Sequence, residues 1–220
     1  MPQSLAIAEP LSSIELHAAW APTKAKLVKE DRDEPLRIRV HRACKALKQA
    51  ERIEASSKSR SATDAALVFR WVALNSLYGR WNSEYGSPMK DRIALDHFTT
   101  QACQVDQAGR IAASLETLTH EAKELLESPF LISHFWRSGE WDNVRPNRGL
   151  SAKFRNELLE GRPSAAVHRL LIAVYFLRCQ IIHGGATLGS GMNRVTVEPA
   201  ARVVRLLSSQ LVAVVVDHGL

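Results

Sequence analysis

The sequence predicts an all-α fold, a bundle of long helices with short accessory ones, and three observations carry that expectation. Apolar residues recur at helical spacing through most of the chain. No strand–turn–strand pattern recurs, and no repeat or low-complexity tract interrupts the body. Glycine and proline punctuate the periodic stretches: Gly161 closes one, Pro163 opens the next, and Gly184-Gly185 ends it.

Met1–Pro35 is broken by Pro2, Pro10, Pro22 and Pro35, and within it Leu11–Trp20 reads as a short helix packed on the body by Ile14 and Trp20. Arg37–Ala55 sets Ile38, Ala43, Leu47, Ala50 and Ile53 near helical spacing with basic residues between them, which fits an amphipathic helix. Ser56–Ser61 is a polar break, with Ser61 or Thr63 as the cap of the next helix. Thr63–Tyr85 is apolar nearly all the way round and therefore central, with Asn75 and Tyr78 interrupting that surface. Lys90–Gln104 is a further helix. Gln107–Leu126 is another, carrying Ile111, Leu115, Leu118, Leu125 and Leu126 on its apolar stripe.

Pro129–Trp136 reads as a short apolar helix or turn, Arg137–Gly149 as a loop, and Lys153–Glu160 as a short helix. Ser164–His183 is the helix around which the rest is expected to fold. Gly184–Gly191 is a glycine-rich turn, and Val195–Asp217 is a last helix, its length and alanines deciding against a strand. Residues 1–60 are expected to be an N-terminal extension with one or two helices packed on the body. Residues 61–220 form the bundle, and the whole makes one compact domain.

An apolar content of 45% supplies a core, and no unbroken apolar run approaches membrane-spanning length, so no membrane is expected. The N-terminus lacks the basic and apolar regions of a secretory signal. Cys44, Cys103 and Cys179 are odd in number and far apart, which argues against a disulfide framework and for a soluble cytoplasmic protein. The net charge is +6, with 20 arginines against 9 lysines. The planar arginine fork suits phosphate, so the balance favours a polyanionic partner.

Three arginines are followed by a histidine at a gap of four to six residues: Arg92/His97, Arg162/His168 and Arg178/His183. Random placement gives about two such pairs, so context decides. Arg92 and His97 lie on a polar helix, and Arg162 stands outside the helix that carries His168. Arg178 and His183 end the most apolar helix, just before a glycine pair. Five residues along a helix is a rotation of about 140°, so the two do not share a face unless the helix ends early. The plainer account is a helix-terminal histidine favoured by the dipole and an arginine paired across the bundle.

The string YFLRCQIIHGG at Tyr175–Gly185, together with FRWVALNSLYGRW about 100 residues earlier, resembles the HEPN superfamily (higher eukaryotes and prokaryotes nucleotide-binding). The likeness is to its abortive-infection-related branch. It is close in these two strings and loose over Thr63–Leu220. The resemblance implies a HEPN-like bundle that dimerises so that two Arg/His pairs meet in one cleft. It further implies a metal-independent endoribonuclease cleaving single-stranded RNA by 2′-hydroxyl attack, with no cofactor and no metal, Arg178 and His183 being the catalytic pair. Toxins and defence effectors are common in the family, so an antitoxin or defence partner protein is among the implied partners. The alternative is a non-catalytic member that binds RNA, nucleotide or a partner protein; Cys179, standing where active members often carry Asn, Asp or His, favours it.

A histidine near its ordinary pKa suits general acid–base work on RNA, and an arginine suits charge stabilisation at the phosphorane. Asn75, Tyr78 and Cys179 are candidates for the same cleft. Arg137, Trp141, Arg145 and Arg148 interleave charge and aromatic character in a way that suits single-stranded RNA. Arg37, Arg39, Arg42, Lys45 and Lys48 form a basic face that would guide it. His41 and Cys44 are too few for a metal site.

Overall fold

The computed structural model describes residues 8–79, 81–82, 87–88, 90–131, 148–183, 187–191 and 193–220. It is all-α. The helices are α1 (Ser13–Lys29), α2 (Glu34–Ser56), α3 (Arg60–Tyr78), α4 (Asp91–Val105), α5 (Arg110–Thr117), α6 (Thr119–Leu126), α7 (Arg148–Leu159), α8 (Pro163–Ile182) and α9 (Arg194–His218). A two-residue antiparallel pairing, Trp81–Asn82 with Ser87–Pro88, lies between α3 and α4, and Pro129–Leu131 forms a 3-10 turn.

The centre is α9, not α8 as the sequence suggested. Val203, Val204, Leu207, Leu211, Val212 and Val215 are fully buried, and α9 packs against α1, α3, α5, α6 and α8 among others. Its buried polar residues bind the N-terminal segment: the Leu11 N–H donates to Ser209 Oγ at 3.1 Å, and Gln210 Nε2 donates to the Glu9 carbonyl at 2.6 Å. As helices, α8 and α9 are both long and apolar enough to cross a bilayer, a property hidden in the sequence because scattered polar residues break the apolar runs. In α9, 83% of that apolar window is buried inside the bundle.

Several boundaries differ from the sequence expectation for identifiable reasons. Helix α1 is capped by Ser12, whose side chain accepts the Glu15 N–H while Glu15 bonds back. It runs through Pro22 to Lys29, since Leu16, Trp20 and partly buried Leu27 anchor it on both sides of the proline. Leu16 takes the inward position expected of Ile14, which is exposed. On α2, Leu36, Val40, Cys44 and Leu47 face inward, and Ile38 is exposed. Helix α3 stops at Tyr78: the Gly79 N–H donates to the Asn75 carbonyl at 2.7 Å, and a Cβ on Gly79 would stand 2.6 Å from that oxygen.

The single helix expected over 107–126 is two, broken at Leu118. Ser114, Thr117 and Thr119 each bond a carbonyl three or four residues back, which bends helices, and the break keeps Leu115, Leu118 and Leu125 all buried. Arg148 and Gly149 belong to α7 rather than to a loop, the Ser151 hydroxyl donating to the Arg148 carbonyl at 3.1 Å. Gly161 then adopts a left-handed φ of 66°, and Pro163 opens α8 in its first turn.

Candidate functional site

The C-terminal end of α8 meets the C-terminal end of α3 and the start of α4. Trp71 of α3 and Tyr175 of α8 have ring centroids 6.0 Å apart. Over both rings lies the Arg178 guanidinium, 5.9 Å from the Trp71 centroid and 5.6 Å from that of Tyr175, a double cation–π contact. Its Nη1 donates to Cys179 Sγ at 3.6 Å, and its Nη2 stands 3.7 Å from Oδ2 of Asp91, the first residue of α4. Its Nε is buried with no hydrogen-bond partner among the described residues.

Tyr78 completes the cluster. It is buried, edge-on to Trp71 at 6.4 Å, and its hydroxyl has no hydrogen-bond partner among the described residues. Burial pushes its phenol well above the ordinary value; the Asp91 carboxylate adds to the shift and the Arg178 charge opposes it. Burial also raises Tyr175, with Cys179 contributing next.

His183 caps α8, its N–H donating to the Cys179 carbonyl at 2.9 Å, and its side chain is exposed. Among the described residues no hydrogen bond joins Arg178 to His183. One turns in toward α3 and α4 while the other faces solvent, as their five-residue offset dictates. Phe176 and Ile182, flanking them on α8, are 40% and 49% exposed. Asn75 is half-buried, its carbonyl closing α3. Arg148 is exposed at the start of α7. Arg137, Trp141, Arg145, Gly184 and Gly185 lie outside the described residues.

Sequence reasoning missed Trp71, Tyr175 and Asp91. The first two were available in the helical spacing. Trp71, Asn75 and Tyr78 stand at i, i+4, i+7, and Tyr175, Arg178 and Cys179 at i, i+3, i+4, so each set shares one face. Asp91 carried no local signal, because only the packing of α4 on α8 brings it to the arginine.

Of the other Arg/His pairs, Arg162 is bonded to Glu160 at 2.5 Å, and His168 stands 3.6 Å from Asp96 beside a cavity of about 500 Å3. No group of three His, Cys, Asp or Glu side chains among the described residues is placed to hold a metal. The Cys44 thiol, buried beside the Glu51 charge, is pushed up to about 11 and is a poor thiolate at neutral pH. No protein-family model matches the sequence, and no curated protein or solved structure is significantly similar to it.

Proposed function

We propose that this chain is an RNA-directed helical protein. More particularly, we read it as a metal-independent endoribonuclease of the HEPN type, acting on single-stranded RNA in the cytoplasm as a toxin or defence effector. The observation that carries the reading is the convergence of the two sequence strings. Trp71 and Tyr78, from the string around Asn75, and Tyr175, Arg178 and Cys179, from the string that ends at His183, form one cluster at one end of the bundle.

In this reading the 2′-oxygen attacks phosphorus as a histidine takes its proton, and the P–O5′ bond breaks as a histidine protonates the leaving oxygen. The products are a 2′,3′-cyclic phosphate and a 5′-hydroxyl. Arg178 holds the phosphate and stabilises the charge that develops on it. One chain presents Arg178 and His183 in different directions, so a two-fold dimer would supply each pair with its symmetry mate and divide the acid and base roles. Exposed Phe176 and Ile182 provide apolar area beside the pair for such a partner.

A second reading, a non-catalytic module that binds RNA, nucleotide or a partner protein, is favoured by the pairing of Arg178 with Asp91 and by Cys179 as its neighbour. Cleavage of mixed single-stranded RNA in EDTA separates the two. Cyclic-phosphate ends from the wild type, lost in a folded His183→Ala variant, support the nuclease. RNA binding without turnover supports the module.

A further inference from the structure

Helices α1 and α2 lie side by side and leave a cavity of about 310 Å3 between them, walled by Ile14 and His17 of α1 and by His41, Cys44, Lys45 and Lys48 of α2. Among the described residues no carboxylate lines it. We propose that this groove binds the sugar–phosphate backbone of single-stranded RNA, as a track distinct from the Arg178/His183 end. The inference takes RNA as the ligand from the reading above, but it concerns other residues and does not need cleavage.

The charge pattern is the first support. His41, Lys45, Lys48 and Arg52 are spaced four, three and four apart, so they stack on one exposed face of α2. An ordinary solvated helix relieves such stacking with carboxylates three or four residues away. Around Lys45 those positions hold His41, Arg42, Lys48 and Gln49. Around Lys48 they include Glu51, but Glu51 is turned to α1, where it accepts from the Ser13 N–H at 2.7 Å and the Ser13 hydroxyl at 2.5 Å. Arg42, Lys45, Lys48 and Arg52 therefore make no ion pair among the described residues. Elsewhere the fold pairs its arginines: Arg70 with Glu54, Arg110 with Asp217, Arg169 with Glu157, Arg194 with Asp64, Arg202 with Glu121 and Glu124. Like charges stacked without a direct ion pair among the described residues suit an anionic occupant.

The groove's shape and position give the second support. Ile14, 73% exposed, and two imidazoles supply apolar and aromatic surface beside the ammonium groups, the combination that takes unstacked bases as well as phosphates. The stripe also starts near the candidate site. Arg39, two residues before His41, turns inward to donate to the Leu77 carbonyl at 2.9 Å and the Leu220 carbonyl at 2.8 Å, next to Tyr78. That contact takes Arg39 out of the basic face the sequence suggested and ties the near end of the stripe to the end of α3.

The test uses the full chain carrying His183→Ala, fluorescein-labelled oligouridylate as probe, and anisotropy over a range of salt. Lys45→Glu/Lys48→Glu, with folding checked by circular dichroism, should weaken binding at least about tenfold and flatten the salt dependence by roughly 0.7 per lost phosphate contact. Lys45→Arg/Lys48→Arg should retain both. In the chain with His183 intact, the Glu pair should slow cleavage of long RNA. Unchanged oligouridylate affinity in the folded Glu variant overturns the groove, whatever happens to cleavage. Duplex DNA competing as well as the single strand also overturns it. Salt-sensitive binding that the Glu pair abolishes, with no cleavage by any form, upholds the groove and removes the nuclease reading.

Discussion

The Asp91 carboxylate stands 3.7 Å from the Arg178 guanidinium, near enough to balance its charge and too far to hydrogen-bond to it. Two rings also lie beneath the guanidinium, their centroids 5.9 and 5.6 Å away. On the proposed reading, a substrate phosphate would take the same guanidinium edge and Asp91 would compete with it. Asp91→Asn is expected to tighten RNA binding by roughly threefold to tenfold, about 0.7 to 1.4 kcal/mol. The pair is partly exposed, so stability should change by less than about 1 kcal/mol. Anisotropy and urea unfolding on the same preparation check both; weaker binding would mean that Asp91 positions the arginine instead.

A second ion pair is structural. Arg194 at the start of α9 reaches Asp64 at 2.6 Å, and the Gly189 N–H donates to the same carboxylate at 2.7 Å, with Asp64 only 1% exposed. Removing Asp64 leaves the Arg194 charge, 11% exposed, without its carboxylate. Asp64→Ala should cost about 3 to 5 kcal/mol in urea unfolding. A loss below about 1 kcal/mol would show that water reaches the site.

Gly79→Ala tests the end of α3 that carries Tyr78. The backbone φ of −65° accepts alanine, so the whole penalty comes from a Cβ placed 2.6 Å from the Asn75 carbonyl. A destabilisation of about 1 to 3 kcal/mol is expected by thermal unfolding. A neutral substitution would mean that the helix end shifts freely.

His168 should make stability depend on pH. Its pKa is lowered, first by burial and further by Arg169 and Arg92, while Asp96 and Glu157 oppose the shift. The unfolded chain therefore binds a proton at this residue before the folded one does. The stability linked to neutral His168 is complete above the ordinary value of 6.5 and is lost as pH falls below it toward the folded pKa. His168→Gln should flatten that stretch of the stability profile, as measured by urea midpoints across the range.

The features legible in the sequence were local. The span of α8, the length of α9 and the centre of α2 come from periodicity and punctuation. The break at Leu118 required weighing the hydroxyls of Ser114, Thr117 and Thr119 against a continuous stripe. The passage of α1 through Pro22 depends on what Trp20 and Leu27 pack against. The arginine–histidine pair was visible, but the Trp71/Tyr175 seat of Arg178 needed two helix faces to be brought together, and Asp91 needed the packing of a third helix. The basic face of α2 was visible as well. Only the inward turn of Arg39 and the capture of Glu51 by Ser13 separate its free charges from its structural ones.

The most direct measurement is cleavage of mixed single-stranded RNA in EDTA by the wild type and by His183→Ala, with product ends analysed and folding confirmed by circular dichroism. The wild type should leave 2′,3′-cyclic phosphate ends, and activity should fall at least about a hundredfold in the folded variant, the scale of a missing acid–base group. Cleavage that persists in His183→Ala, or a folded wild-type dimer that binds RNA and leaves it intact, would contradict it.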